Sequence, residues 1–145
     1  MELAEFIEAR LADDEEAARE ASTAEWYLAQ PAKCGCCLQI RARDGYGSLV
    51  CTLDDRDVAH VVRHDPARVL REVEAKRQIL TRYQFAVRQA DVNRANGNGA
   101  EAEAWEKIAG ALELDARSLA SVWSDHPGYD PAWALSPGTA RPASR

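Results

Sequence analysis

The 145-residue chain is short of the signals on which functional assignment usually rests. No stretch approaches the roughly 18 consecutive apolar residues that a membrane-spanning helix needs. The opening MELAEFIEARLADDEE is acidic and amphipathic, where a secretory signal would be basic and then apolar. Together these absences predict a cytoplasmic protein with no membrane partner. The chain also has no glycine-rich phosphate loop, no nucleophile tied by spacing to a base, and no cluster of carboxylates. The expectation therefore leans away from an enzyme. With four cysteines and three histidines, metal or redox chemistry has few places to reside. In a reducing compartment those cysteines are expected as thiols or metal ligands, and a disulfide between adjacent Cys36 and Cys37 would be strained.

What is present suits a folded domain. The composition is 46% hydrophobic and 29% charged, far from the signature of disorder. The length predicts a single globular domain over 1–135, followed by a disordered tail, SPGTARPASR, over 136–145. Charge is distributed in blocks. Residues 1–25 carry nine acids against two bases, residues 56–94 nine bases against five acids, and residues 95–135 seven acids against two bases. A basic central helix flanked by acidic ones can satisfy its charge inside the chain, which disfavours a nucleic-acid partner for it.

The predicted fold is mostly α with one β-hairpin. Leu3, Phe6, Ile7 and Leu11 recur at helical spacing, with Glu15 and Arg19 as an i,i+4 pair, and predict a helix over about 2–21. Trp26 and Tyr27 then lead into a short extended segment. From Leu38 the period becomes two. Leu38, Ile40 and Ala42 precede the turn signal DGYG, and Leu49, Cys51 and Leu53 follow it. With 44–47 as the loop, Ile40 faces Cys51. Asp54 and Asp55 can cap a short helix carrying His60 and His64, and Asp65-Pro66 begins a longer one. Along that helix Val69, Val73, Leu80, Tyr83, Val87 and Ala90 form an apolar stripe broken by Lys76. Two Asn-Gly turns over 96–99 separate it from a third long helix bearing Trp105, Ile108, Leu112, Leu119 and Val122. The two form an antiparallel helical pair, whose stripe can be buried within the chain or against a second copy.

Three stretches carry a resemblance. EFIEARLADDEEAAREA near the N-terminus, HVVRHDPARVLREVEAKRQIL over 60–80 and SDHPGYDPAW over 124–133 resemble DUF6221, a family of actinobacterial and actinophage genomes. The resemblance implies no activity, ligand or catalytic residue, and it does not extend to the cysteine cluster.

That cluster, CGCC, places Cys34, Cys36 and Cys37 at the base of the expected hairpin, near the helix that bears His60 and His64. Two thiolates with one or two imidazoles suit tetrahedral zinc. The C-x-C and C-C spacings depart from the usual interval of two to four residues, so unligated thiols are the plainer reading. Redox chemistry is disfavoured because a strand follows the Cys34/Cys37 spacing where a helix is needed. Asp65 reads as a helix cap. Ser124, Asp125 and His126 are too close in sequence to form a triad. Trp123, Tyr129 and Trp133 either anchor the chain's end or form an aromatic surface. The expected function is a small non-enzymatic interaction module for a protein partner or a second copy through the long helices, with or without a structural zinc. The alternatives are a metal-dependent enzyme using His60 and His64, or a nucleic-acid binder through the basic helix at 66–94.

Overall fold

The computed structural model describes residues 1–21, 26–29, 38–42, 48–52 and 60–135. It is mostly helical. Helix α1 spans Leu3–Glu20, α2 spans Pro66–Ala95 and α3 spans Gly99–Ala120, with 3₁₀ turns at Ser121–Trp123 and Pro131–Trp133. Strands β1 (Trp26–Ala29), β2 (Leu38–Ala42) and β3 (Ser48–Thr52) form one sheet. The chain divides into two compact units, Ala12–Glu74 and Met1–Leu11 with Ala75–Arg145.

In the second of these, the first turns of α1 supply the large apolar side chains. Leu3, Phe6, Ile7 and Leu11 recur three to four residues apart, and all four are buried. Glu5 reaches back to accept a hydrogen bond from the Glu2 backbone N–H at 3.0 Å, as the third helical residue does in a capping box. From α2 the core takes Leu80, Ala86 and Ala90, and from α3 it takes Ala102, Ala116 and Ala120. Most of this buried seam is alanine. Small side chains fill this seam with little volume, so few large residues are needed there. At the turn between α2 and α3, Gly97 adopts φ 77°, a left-handed conformation that glycine takes without a Cβ penalty. The Asn98 N–H donates to the Asn93 carbonyl at 2.9 Å and the Gly97 N–H to Arg94 at 3.2 Å, the pair of bonds that defines a Schellman stop. A three-residue turn then returns α3 along α2. Phe85 meets Trp105 with ring centroids 5.6 Å apart, and Arg94 pairs with Glu106.

Within Ala12–Glu74, β1 pairs antiparallel with β2, and β2 antiparallel with β3. The turn DGYG lies outside the described residues. Two expectations change here. Residues 26–29 form a third strand, pairing Trp26 with Ala42 and Leu28 with Ile40. The register also moves by one: Gln39 pairs with Cys51 and Ile40 with Val50. An irregularity between Ile40 and Arg41 absorbs a residue, which the alternation of apolar positions cannot reveal. Asp65 starts α2 as expected. Its Oδ1 accepts the Arg68 N–H at 2.7 Å, and Pro66 takes the first helical position, where no N–H is needed.

Lys76, which interrupts the stripe of α2, places its ammonium 5.4 Å from the Trp123 ring centroid. Its charge thus meets an aromatic face. Ile108 of α3 and Val122 of the 3₁₀ turn that follows it are 44% and 60% exposed, where the sequence stripe would bury them. The alanines fill the seam that those residues were expected to occupy.

Tyr83 carries a prediction. Burial pushes its phenol above the ordinary value of 10.0, with Glu113 and Glu2 adding to the rise and Arg117 opposing it. The unfolded chain therefore ionises first, and Tyr83 contributes stability that is complete below about pH 10 and lost as pH rises through the folded pKa. Denaturant melts between about pH 9 and 11 are expected to show a steeper alkaline loss for the wild type than for Tyr83→Phe. Equal slopes would contradict the assignment.

Candidate functional site

Three constellations bring chemistry-bearing or exposed apolar residues together. In the unit formed by Met1–Leu11 and Ala75–Arg145, Phe6 is 1% exposed and meets His126, Tyr129 and Trp133, with ring centroids 5.7, 6.1 and 5.0 Å away. The sequence SDHPGYDPAW explains this clasp step by step. The Tyr129 N–H donates to the His126 carbonyl at 2.9 Å and closes a tight turn over Pro127-Gly128. A Cβ at residue 128 would stand 3.2 Å from His126 Nδ1 and 3.7 Å from Phe6, a close approach that favours glycine. Asp130 then caps the last 3₁₀ turn by accepting from the Ala132 N–H at 2.9 Å, which sets Trp133 on Phe6.

His126 is held from both sides of its ring. The Gly128 N–H donates to Nδ1 at 3.0 Å, while Nε2 meets the Arg10 guanidinium. Arginine can only donate, so both ring nitrogens face donors, whereas a neutral imidazole offers a single lone pair in its plane. This arrangement anchors an element and engages His126 in packing. Of the two readings of the C-terminal aromatics, Tyr129 and Trp133 act as anchors, and Trp123 stacks with Lys76. Truncating the central ring, Phe6→Ala, is expected to cost about 3–5 kcal/mol in thermal or denaturant unfolding. A loss below about 1 kcal/mol would show that the clasp does not depend on it.

The second constellation is the histidine pair in Ala12–Glu74. Residues 60–63 are helical, and the His64 N–H reaches the His60 carbonyl at 3.2 Å. One helical turn apart, the two rings lie with centroids 4.5 Å from each other, and both residues are exposed. His64 also borders a cavity of about 260 Å³ shared with Asp14, Ala17, Ala18, Trp26 and Val69. Cys34, Cys36 and Cys37 lie outside the described residues. Among the described residues no group of three or more His, Cys, Asp or Glu side chains converges as metal ligands would. Asp65 Oδ1 serves the α2 cap.

The third constellation escaped the sequence reading. Phe85 and Val92 are 46% and 53% exposed on α2, seven residues apart and so on one stripe, away from buried Leu80 and Ala90. Through Phe85 that stripe meets Trp105 of α3, three residues from exposed Ile108. The i,i+7 spacing of Phe85 and Val92 was a usable signal, hidden by the stronger stripe beside it.

A family model described as "Family of unknown function (DUF6221)" matches residues 1–135. No curated protein and no solved structure matches the chain.

Proposed function

The chain belongs to the DUF6221 family, whose description assigns no activity, and we propose that it is a non-enzymatic protein-interaction module of the cytoplasm, built as one domain over 1–135. The observation that carries this reading is the outer face of the α2/α3 pair. Leu80, Ala86, Ala90 and Ala102 are buried on the inner side, while Phe85, Val92 and Ile108 on the outer side remain 44–53% exposed. Apolar side chains left outside a filled seam gain free energy when a second surface covers them, at about 25 cal/mol per Å². The nucleic-acid alternative loses support because several bases of α2 already serve carboxylates. Arg68 pairs with Glu72, Arg77 with Glu8, and Arg94 with both Asp91 and Glu106.

A photo-crosslinking residue at position 85 tests the reading in expressing cells, with the same residue at exposed Glu103 as control. A discrete protein adduct from position 85 and none from position 103 is the expected result. Equal background at the two positions would overturn it.

A second reading has its own support. The His60 and His64 ring centroids stand 4.5 Å apart, which suits a shared ion, and a structural zinc held by one or both of them would be completed by thiolates from among Cys34, Cys36 and Cys37 to four ligands in all. The same pair would serve the metal-dependent enzyme alternative. Elemental analysis of the purified protein is expected, on this reading, to find near-stoichiometric zinc that falls in His64→Ala. Absence of any transition metal after zinc loading and dialysis would remove both metal readings.

A further inference from the structure

We propose that the surface covering the outer face of the α2/α3 pair is a second copy of this chain. The inference rests on the interaction reading above and names its partner. Between residues 75 and 95, α2 carries Lys76, Arg77, Arg82, Arg88 and Arg94 against Asp91 alone. Over its length α3 carries five acids, Glu101, Glu103, Glu106, Glu113 and Asp115, against two bases. Much of this charge is neutralised locally, by Lys107 with Glu103, Arg117 with Glu113, and Arg94 with Asp91 and Glu106. Exposed Arg88 and Glu101 make no ion pair among the described residues.

Both of these charges flank the apolar patch. Arg88 lies three residues from Phe85 and four from Val92, on neighbouring lines of α2. Glu101 lies seven residues before Ile108, on the same stripe of α3. The Phe85–Trp105 contact fixes the register of the antiparallel helices. Moving three residues along α2 to Arg88 moves about three back along α3, to the level of about residue 102, beside Glu101.

A face with one basic and one acidic helix is complementary to itself under one two-fold operation. When the axis runs parallel to the helices, α2 of one copy lies over α3 of the other, and Phe85 comes over the Trp105–Ile108 edge. Arg88 then stands level with Glu101 of the second copy, and symmetry repeats the pair. When the axis runs across the helices, α2 meets α2 and like charges oppose. Charge thus selects both the occupant and its orientation.

Sedimentation equilibrium on the full chain in low-salt buffer reads the result. The wild type is expected to rise from 16.0 kDa toward twice that mass over the micromolar range. Arg88→Glu and Glu101→Arg are each expected to raise the dissociation constant about tenfold, since each turns two attractions into two repulsions. The double charge swap is expected to return to within about threefold of the wild type, with unchanged helical circular dichroism in all three. A wild type that stays monomeric to about 300 µM, or a double swap no tighter than either single variant, would overturn the proposal. A monomer that still yields an adduct from position 85 with a different protein would sink the second copy and leave the interaction reading standing. Loss of that adduct would sink the reading itself.

Discussion

Phe6 is the contact on which the unit formed by Met1–Leu11 and Ala75–Arg145 depends. Its ring is buried on α1, and it receives three aromatic rings from a segment more than 100 residues away in sequence. Without that ring, Asp130, Pro131 and Gly128 would still favour tight turns locally, but those turns would have nothing to close upon. With it, the chain's C-terminal element becomes part of a core built by the N-terminal turns of α1 and by the inner faces of α2 and α3. The order of causes runs from local turn chemistry to one buried aromatic and then to a fixed helical scaffold.

That scaffold has an economy that decides what remains outside. Alanine at 86, 90, 102, 116 and 120 seals the seam with small volumes, so the larger apolar residues of α2 and α3 are not all required inside. Phe85, Val92 and Ile108 stand out of it, next to the aromatic contact of Phe85 with Trp105 that bridges the two helices at the surface. A basic helix beside an acidic one then gives this patch a polarity. The apolar face and its charged borders arise from the same two helices, which makes them one surface.

Much of this was legible in the chain before its structure. The buried positions Leu3, Phe6, Ile7 and Leu11, the cap at Asp65, the Glu15–Arg19 and Glu103–Lys107 pairs and the break after Arg94 all follow from local rules of spacing and turn chemistry. What escaped has a common cause. Pairing Phe6 with Trp133, covering Lys76 with Trp123 and preferring alanine to Ile108 in the seam are tertiary choices that periodicity along one helix does not record. The one-residue shift of β2 against β3 belongs to the same class, because a bulge leaves the alternation of side chains almost unchanged. The CGCC cluster, with which a metal reading must begin, lies outside the described residues, while His60 and His64 stand ring beside ring.

The central claim is that the outer face of α2 and α3 is a self-complementary surface, and intermolecular contacts measure it most directly. An isotope-filtered nuclear Overhauser experiment on an equal mixture of labelled and unlabelled chains separates contacts between copies from contacts within one. The account predicts intermolecular cross-peaks from Phe85 and Val92 of one copy to Trp105 and Ile108 of the other. Cross-peaks that arise solely from other faces of the molecule, or none at concentrations where the mass is doubled, would contradict it.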